Sequence, residues 1–477
     1  MKKALVIAYF FPPLGGSGVQ RTLKFVKYLP MSGILPVVST VSSGHNFAYD
    51  ESLLEEIPHE VKVYRSSSLE TLWLREALEK IASLRGSKKT EVDSKEESKA
   101  DIKEDSKEDA SAIVAMEDTK APSASIATPV TQEPSGPSGP SEPPRRSLKQ
   151  RVFDFIDNYL FIPDSKVRWL PFGFLKSLQV ARREQVDYIF SSSYPYTVHL
   201  IALLVHKFYR KPWIADFRDP WVGNKAMQKE LPFRKNLDAW LERKVVENAS
   251  YLLNVTPALT EMYKNRYPEY AYKMITITNG FDPADFQEIT EIPQEKFTLI
   301  HTGIIAENYD METFTEGVER FLTRHLEARS NFQSLFIGYV PPQYEERMKN
   351  RLQDTVVFKP YMRHKDVLNY LAGAQLQFMT FDRSVDIAYS GKLFDYIGIG
   401  KPILGLLPEG IAAKLIRERE LGRVVTLEDP EGLAQAISVY YEAWLAQDSK
   451  VFETGSRERC SEFSRVNLAQ QLAALFQ

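Results

Sequence analysis

Short apolar runs alternate with helical patterns along this chain, and the alternation occurs twice. In the first half the runs are Ala4–Phe10, Pro36–Thr40, Tyr188–Ser191, Pro212–Asp216, Tyr251–Val255 and Ile275–Thr278. In the second half they are Phe297–His301, Ser334–Ile337, Val356–Phe358, Leu376–Met379 and Pro402–Leu407. Because strands that alternate with helices form parallel sheets with helices on both faces, the sequence predicts an α/β fold with two doubly wound domains.

The length of 477 residues also exceeds what a single hydrophobic core usually serves. We place an N-terminal domain at residues 1–290 and a C-terminal domain at residues 295–450. Residues 451–477 follow, and they end in a helix. Its apolar stripe, within Leu468 to Phe476, is expected to pack on the surface of a domain.

One long internal segment lacks aromatic residues, since no Phe, Tyr or Trp occurs from Leu74 to Val152. Residues 88–109 mix Lys with Asp, Glu and Ser, and residues 122–144 are rich in proline. Such a composition cannot bury enough apolar surface to offset the entropy lost on ordering. The sequence therefore predicts a disordered, low-complexity insertion at residues 86–147, within the N-terminal domain.

Charge and cysteine content exclude several classes of protein. The 60 basic and 63 acidic residues give a net charge of −3, so we expect no nucleic-acid partner. The single cysteine, Cys460, excludes an internal disulfide and fits a reducing compartment. No apolar run approaches the roughly 18–20 residues of a membrane-spanning helix. We therefore expect a cytoplasmic protein.

A basic and aromatic stretch from Arg145 to Phe161 has two interpretations. It could lie peripherally on the anionic inner face of a membrane. Alternatively, it is a helix with which the chain re-enters the fold after the insertion. The sequence leaves both open.

A glycine-rich loop follows the first predicted strand and precedes a helix. Gly15, Gly16 and Gly18 lie where ligands approach a doubly wound sheet, and a helix N-terminus favours negative charge. The loop is not a dinucleotide-binding fingerprint, because the third glycine position is occupied by Arg21. A ligand loop and a tight structural turn are both open interpretations.

A charged loop follows the strand Pro212–Asp216. Arg218 stands between Asp216 and Asp219, at the carboxyl end of the strand, where binding residues are often found. The alternative is an ion pair that only braces the turn.

The most informative local pattern begins at Ser390. A helix that starts near Gly391 would direct its free amides and dipole at an anion, and Lys392 would add positive charge. Asp395 lies one turn further along the same face, a position that suits hydrogen bonds from ribose hydroxyls. The alternative is a solvated Asp395, or one that pairs with a nearby base.

Metal and nucleophilic chemistry have little support in the sequence. No Asp-x-Asp motif occurs, no histidines have metal-ligand spacing, and Gly-x-Ser-x-Gly is absent. His301 and His364 lie near strand ends, where we expect structural roles. We therefore predict neither a metal site nor a cofactor.

Taken in order, several segments resemble GT-B glycosyltransferases, specifically glycosyltransferase family 4. Residues 9–21 are similar to the family's first strand and glycine loop, and residues 278–282 to its Pro-Asn-Gly-Val-Asp segment. Thr302-Gly303 follows the first strand of the second domain as in the family, and residues 392–402 resemble its nucleotide-sugar site. The resemblance covers nearly the whole chain apart from the insertion.

The resemblance implies two Rossmann-like domains that face each other across a cleft, with the final helix crossing back to the first domain. It implies a nucleotide-sugar donor on the second domain and an acceptor on the first. The acceptor would be a glycan or a lipid-linked glycan of surface polysaccharide synthesis. Transfer would proceed with retention and without a metal or cofactor.

The resemblance also assigns roles to residues. Asp395 matches the ribose-binding acid of the family's Glu-x7-Glu motif, and Gly15 and Gly16 match the loop that meets the donor phosphates. Asp219 matches an aspartate of the catalytic site, and Arg218 stands where many members have a histidine. Three basic residues are candidates for contact with the leaving diphosphate: Lys392, Arg21 and Arg363.

One departure keeps other functions open. The first acid of Glu-x7-Glu falls at Ile387, and that acid usually contacts the sugar. A non-catalytic, nucleotide-binding member of a glycan assembly complex and a sugar-nucleotide epimerase on the same fold are therefore alternatives. An NAD-dependent oxidoreductase is disfavoured by the missing fingerprint glycine.

Overall fold

The computed structural model describes residues 1–42, 49–68, 159, 161–224, 231–384 and 387–476. The predicted insertion at 86–147 lies outside the described residues. So does nearly all of the basic and aromatic stretch that ends at Phe161.

A seven-stranded parallel sheet forms the first half of the chain, in the order β3-β2-β1-β4-β5-β6-β7. Its strands are β1 (Lys2–Ile7), β2 (Ile34–Val41), β3 (Lys62–Ser66), β4 (Tyr188–Ser192), β5 (Trp213–Phe217), β6 (Tyr251–Asn254) and β7 (Met274–Thr276). The helices of this half are α1 (Ser17–Tyr28), α2 (Leu170–Glu184), α3 (Thr197–Tyr209), α4 (Pro232–Asn248) and α5 (Pro257–Arg266).

A six-stranded parallel sheet follows, in the order β10-β9-β8-β11-β12-β13. Its strands are β8 (Phe297–Thr302), β9 (Phe332–Ile337), β10 (Val356–Lys359), β11 (Leu376–Thr380), β12 (Ile403–Leu406) and β13 (Gly422–Val425). The helices of this half are α6 (Met311–Arg324), α7 (Ala328–Asn331), α8 (Pro342–Leu352), α9 (His364–Gly373), α10 (Gly391–Ile399), α11 (Ile411–Glu418), α12 (Pro430–Leu445), α13 (Ser456–Arg459) and α14 (Arg465–Ala474).

The α/β class with two parallel sheets is confirmed, and every strand that the apolar runs predict overlaps an observed strand. Two strands escaped prediction, β3 and β13, and both lie at the edge of a sheet. Only one residue in each is fully buried, so neither carries the continuous apolar run of a strand covered on both faces.

The last helix belongs to the hydrophobic core of the first sheet. Leu468, Leu472 and Phe476 are all buried there, although the second sheet precedes them in the chain. The segment before the helix is anchored by its backbone, because the Phe281 amide donates to the Phe463 carbonyl and the Arg465 amide donates to the Phe281 carbonyl. Helix α14 thus joins the two halves.

The strand order of each sheet fixes where a ligand can approach. The order reverses between β1 and β4 in the first sheet and between β8 and β11 in the second. A crevice opens beyond the carboxyl ends of strands at such a reversal. The loops after β1, β4, β8 and β11 therefore border these crevices, and the loop after β5 is next to the one after β4. In the described part of the chain, no helix is both long and apolar enough to cross a bilayer.

Candidate functional site

The loops at the carboxyl edge of the first sheet bring two predicted motifs together. Gly16 precedes α1 with φ of +87°, a conformation that glycine adopts without strain, and Gly15 beside it is buried. The Arg218 side chain, which follows β5, donates from Nη1 to the Gly18 carbonyl at 2.5 Å. The glycine loop and the Arg218–Asp219 loop therefore form one continuous edge.

Arg21 makes several contacts inside the first half of the chain. Its side chain is fully buried and forms an ion pair with Asp216 at 2.7 Å. Nη1 donates to the Thr278 carbonyl at 2.6 Å and Nη2 to the Ile277 carbonyl at 2.8 Å. The guanidinium is thus engaged by groups of the first half, and its predicted contact with phosphate stays a prediction.

Asp216 is held in its ionised form by Arg21. Burial alone would favour the neutral acid, but the charge and hydrogen bonds of Arg21 outweigh it, so the pKa of Asp216 lies below its ordinary value. Ser192 Oγ adds a hydrogen bond at 2.6 Å. Breaking a buried pair of this kind costs about 3–5 kcal/mol. The Asp216 carboxylate therefore positions the loop that carries Arg218.

Asp219 differs from Asp216, since its side chain is exposed to solvent. The protein atoms packed near its carboxyl group still remove part of its hydration, which raises the pKa of Asp219, and the neighbouring charge of Arg218 opposes the rise. Beside it, the rings of Tyr196 and Trp221 stack with centroids 4.9 Å apart. The edge thus presents a carboxyl group next to a rigid aromatic wall. The catalytic roles predicted for Asp219 and Arg218 remain predictions.

In the second half, the start of α10 faces the end of β8. Ser390 precedes the helix, and its hydroxyl accepts a hydrogen bond from the Lys392 amide at 3.3 Å. Gly391 is exposed, and a Cβ added there would meet no atom within 4 Å, so open space borders the first turn of the helix. Three of the predicted donor-binding residues, Ser390, Gly391 and Lys392, thus lie around one opening.

The Lys392 side chain folds back over Gly303. Its Nζ lies 3.2 Å from His301 Nε2 and 3.1 Å from the Ile304 carbonyl oxygen. Gly303 has φ of +92°, and a Cβ added there would lie 2.8 Å from Lys392 Cε. Because glycine has no Cβ, the loop after β8 leaves room for the Lys392 side chain.

His301 serves Lys392 as a neutral acceptor. Burial and the charge of Lys392 hold the pKa of His301 well below its ordinary value. Nδ1 faces the Phe378 carbonyl at 3.0 Å, so the proton of the neutral ring lies on Nδ1 and Nε2 accepts from Lys392. Burial lowers the pKa of Lys392 to about 8. The ammonium therefore has two neutral partners.

Asp395 lies one turn beyond Gly391 and contacts His364 from the start of α9. His364 Nε2 and Asp395 Oδ1 are 3.2 Å apart. Enclosure lowers the pKa of His364, but the Asp395 carboxylate outweighs it and raises the pKa to about 8. Asp395 thus has a base as a neighbour, as one interpretation of the sequence expected. Its predicted contact with ribose remains a prediction.

Arg363, the remaining phosphate candidate, lies on the outer surface of this region. Its side chain is 87% exposed and forms an ion pair with Asp366 at 3.0 Å. Because water screens such an exposed charge, Arg363 is the weakest of the basic candidates. Its contact with phosphate stays a prediction.

The loop before α10 touches the first half of the chain. Thr256 Oγ1, after β6, donates to the Ile387 carbonyl at 2.8 Å. The carboxyl edges of the two sheets therefore face each other, and we call the space between them the cleft. It is bordered by the residues Gly15–Gly18, Arg218 and Asp219 on one side and by Gly303 and Ser390–Lys392 on the other. Ile387 supplies no acid there, and its neighbour Asp386 is outside the described residues.

One group of carboxylates could suggest a metal site. Oxygen atoms of Glu56, Asp282 and Asp285 lie within 4.8 Å of one another. Lys24 Nζ lies 2.6 to 3.0 Å from all three, and Lys27 Nζ contacts Glu56 and Asp282. The two lysines supply the positive charge that this cluster needs. That the reaction requires no metal stays a prediction.

Three residues at the cleft were not among the predicted site residues. His301 and Gly303 matter because Lys392 contacts both, and no local pattern links residues so distant in the sequence. Arg465, the first residue of α14, is the third. Its charged neighbours are Arg21, Arg218 and Asp282 from the first half and Asp395 from the second. Arg465 therefore lies between the two edges of the cleft.

Comparisons of sequence and structure give different results. No protein-family model matches the sequence, and a search of curated proteins gives no match. Solved structures do match over the whole chain. A glycosyltransferase from Rickettsia africae ESF-5 is similar with a TM-score of 0.58 and 13% identity, and the alignment covers 100% of this chain and 98% of the other.

Two further structures contain UDP. HepE of Anabaena, in complex with UDP, is similar with a TM-score of 0.56 and 12% identity, covering 100% of this chain and 99% of its own. A mutant of S. aureus TarM, in complex with fondaparinux, alpha-GlcNAc-glycerol and UDP, has a TM-score of 0.56 and 11% identity, with both chains fully covered. These likenesses show the fold, which is the GT-B arrangement of two Rossmann-like domains.

Proposed function

We propose that this protein is a glycosyltransferase that moves a sugar from a nucleotide-sugar donor to an acceptor hydroxyl. The observation that carries the proposal is the environment of Lys392. Its ammonium is enclosed at the first turn of α10, where its partners are His301 and a backbone carbonyl. In the described residues no carboxylate forms an ion pair with it. An enclosed cation without a counter-ion, at a helix N-terminus, favours an anionic ligand.

The chemistry of α10 supports a nucleoside diphosphate as that anion. The Lys392 and Leu393 amides of this turn donate to Ser390, so a phosphate would meet the Gly391 amide and the positive end of the helix dipole. Asp395, one turn later, is a carboxylate that can accept hydrogen bonds from ribose hydroxyls. One short helix would thus bind both the phosphates and the ribose. Two neighbours of the same fold were solved with UDP, which supports uracil as the first base to test.

The proposed mechanism is mainly electrostatic. As the bond between sugar and phosphate breaks, negative charge grows on the diphosphate. Lys392 and the helix N-terminus would stabilise that charge, and the glycine loop at Gly15 and Gly16 would approach it from the other side. Asp219 would face the reacting sugar or the acceptor. Arg218 stays protonated and cannot act as a general base, so its role would be to orient Asp219 or to bind a negative group.

Several finer features rest on the family resemblance and are part of the proposal. Transfer would retain the anomeric configuration and need no metal. The acceptor would be a glycan or lipid-linked glycan of surface polysaccharide synthesis, bound mainly at the first domain. A cytoplasmic location, with peripheral contact at the inner face of a membrane, would give access to a lipid-linked acceptor.

A second candidate function is favoured by one specific observation. Ile387 occupies the position at which the family's sugar-contacting acid is expected, and its backbone carbonyl is used for a contact between the two halves. A member that binds the nucleotide without transferring sugar would fit this change. Turnover of a donor that the protein binds would support a transferase, whereas binding without turnover would support the non-catalytic member. Product analysis without an acceptor would also reveal an epimerase.

The proposal is tested by thermal unfolding with UDP, GDP, ADP, CMP, dTDP and their sugars. A ligand at 100 times its dissociation constant stabilises the protein by about 2.7 kcal/mol. We expect one base family to raise the melting temperature and the effect to disappear in Lys392→Met and Asp395→Asn. Lys365→Met is the matched control, because Lys365 is exposed and pairs with Glu288. Absence of any shift in the cooperatively unfolding wild-type protein would contradict the proposal.

A further inference from the structure

Among the described residues, the buried side chain of Arg465 has no ion-pair partner. The residue is 8% exposed, and its Nη1 atom is inaccessible to water and has no hydrogen-bond partner. Across the described residues, no carboxylate forms an ion pair with its guanidinium. Burying a charge without pairing is costly, so native proteins rarely keep such an arrangement without a use for it.

The charges around Arg465 make its position more costly. Burial and the positive charges of Arg21 and Arg218 all lower the pKa of Arg465, which falls to about 9. Arg465 is also the first residue of α14, and no side chain caps that helix. A positive side chain at a helix N-terminus opposes the helix dipole. Three independent features therefore favour an anion beside this guanidinium.

The two nearby acids do not provide that anion. Asp282 is an electrostatic neighbour of Arg465, but its carboxylate already contacts Lys24 at 2.7 Å and Lys27 at 3.0 Å. Asp395 is the other neighbour, and its Oδ1 contacts His364 at 3.2 Å. Both carboxylates therefore contact other basic side chains. They attract the Arg465 guanidinium electrostatically, but neither forms an ion pair with it.

The backbone holds Arg465 firmly at the cleft. Its amide donates to the Phe281 carbonyl at 2.8 Å, and the Phe281 amide donates to the Phe463 carbonyl at 3.1 Å. Phe281 directly follows Gly280, where an added Cβ would lie 1.8 Å from the Phe463 carbonyl oxygen. This close fit fixes the start of α14 against the segment after β7. The backbone of Arg465 is thus held by a rigid support.

We propose that Arg465 binds a phosphate group of a ligand held in the cleft, beside Arg218. A guanidinium is suited to phosphate because its planar donors match two phosphate oxygens. The phosphate has two possible sources, the donor diphosphate or a phosphorylated acceptor. The assignment to a source rests on the proposed function, whereas the phosphate site itself does not.

Calorimetric titration with pyrophosphate tests the site, in a buffer free of phosphate and sulfate. We expect Arg465→Gln to weaken pyrophosphate binding roughly ten- to hundredfold, the range of a charged hydrogen-bonded contact. Arg465→Lys, which keeps the charge, should retain part of the affinity. Arg459→Gln is the control, because Arg459 is in the same segment but exposed and paired with Glu420. It should bind like the wild-type protein.

Saturating UDP separates the two sources of phosphate. Pyrophosphate binding that depends on Arg465 and disappears with UDP assigns the site to the donor. Binding that persists assigns it to the acceptor. If no nucleoside diphosphate binds while pyrophosphate binding still depends on Arg465, the proposed function fails and the phosphate site stands.

Stability without ligand distinguishes a binding role from a structural one. Because the buried guanidinium is unpaired, Arg465→Gln should leave the melting temperature of the free protein unchanged or raise it. A lower melting temperature together with unchanged pyrophosphate affinity would overturn the proposal, since Arg465 would then only support the fold.

Discussion

Among single residues, Lys392 has the most informative surroundings. It combines a pKa of about 8 with a position at the first turn of α10 and two neutral partners. A surface lysine would remain charged well above pH 9. The charge of Lys392 should therefore change at a pH only slightly above neutrality, so its effect on ligand affinity can be measured.

We predict that UDP affinity falls as pH rises above about 8. Below that pH the Lys392 ammonium is protonated and attracts the diphosphate, whereas above it each pH unit should weaken binding by up to about tenfold. Binding in the alkaline range should therefore take up a proton. Calorimetry between about pH 7 and about pH 9.5 measures this, because the charge of the diphosphate is nearly constant there.

The variant Lys392→Met is the control for that prediction. It should bind UDP weakly, with an affinity that falls less steeply over the same pH range, because Arg465, with a pKa of about 9, and His364, with a pKa of about 8, still titrate there. A pH dependence that is the same in the variant and in the wild-type protein would show that another group is responsible.

At the level of secondary-structure elements, the site depends on how the loop after β8 meets the start of α10. Gly303 ends that strand region in a left-handed conformation and leaves room for the Lys392 side chain. Neither element forms the site alone, since the lysine comes from one and the space from the other. Ligand binding should therefore depend on how Gly303 and Lys392 pack together as much as on the residues that would touch the ligand.

We expect Gly303→Ala to weaken UDP binding at least tenfold and to cost about 1–3 kcal/mol of stability. The stability loss comes from the strained backbone conformation, and the affinity loss comes from the displaced Lys392 side chain. Gly33→Ala is the matched control, because Gly33 has φ of +80° and an added Cβ meets nothing within 4 Å. It should lose stability but keep its affinity. Equal loss of affinity in both variants would contradict the explanation.

At the scale of the whole molecule, the C-terminal helix α14 returns to the first domain and packs in its core. The helix packs its apolar face in the core of the first domain, while its first residue, Arg465, is buried near charged residues of both halves, Arg218 and Asp395 among them. The same helix therefore contributes to the stability of one domain and to the proposed ligand site.

The thiol of Cys460, in the segment that leads to α14, is buried. Burial raises its pKa to about 11, so we expect it to be unreactive.

Leu472→Ala should destabilise the first domain although it lies near the end of the chain. Leu472 is fully buried in that core, and a truncation of this kind costs about 2–5 kcal/mol. Urea unfolding followed by tryptophan fluorescence reports it, because all tryptophans except Trp444 lie within residues 1–290. Leu445→Ala, at an exposed site, is the control. An unchanged midpoint for Leu472→Ala would mean that the final helix is not part of that core.

The sequence predicts what depends on local pattern and misses what depends on contacts between distant segments. Central strands such as β1 and β8 are apolar on both faces and are easily recognised, whereas the edge strands β3 and β13 have no continuous apolar run and were missed. The start of α10 was predicted from Ser390 and Gly391, because capping chemistry is local. The contacts of Arg21 with Asp216, Ile277 and Thr278 could not be predicted, because only the fold brings these residues together.

A crystal structure with UDP tests the central claim most directly. We predict that the diphosphate lies at the first turn of α10 within hydrogen-bonding distance of Lys392 Nζ. The ribose hydroxyls should meet the Asp395 carboxylate, and Arg465 should be at or near a phosphate oxygen. UDP bound outside the cleft, or bound with its phosphates away from Lys392, would contradict the account.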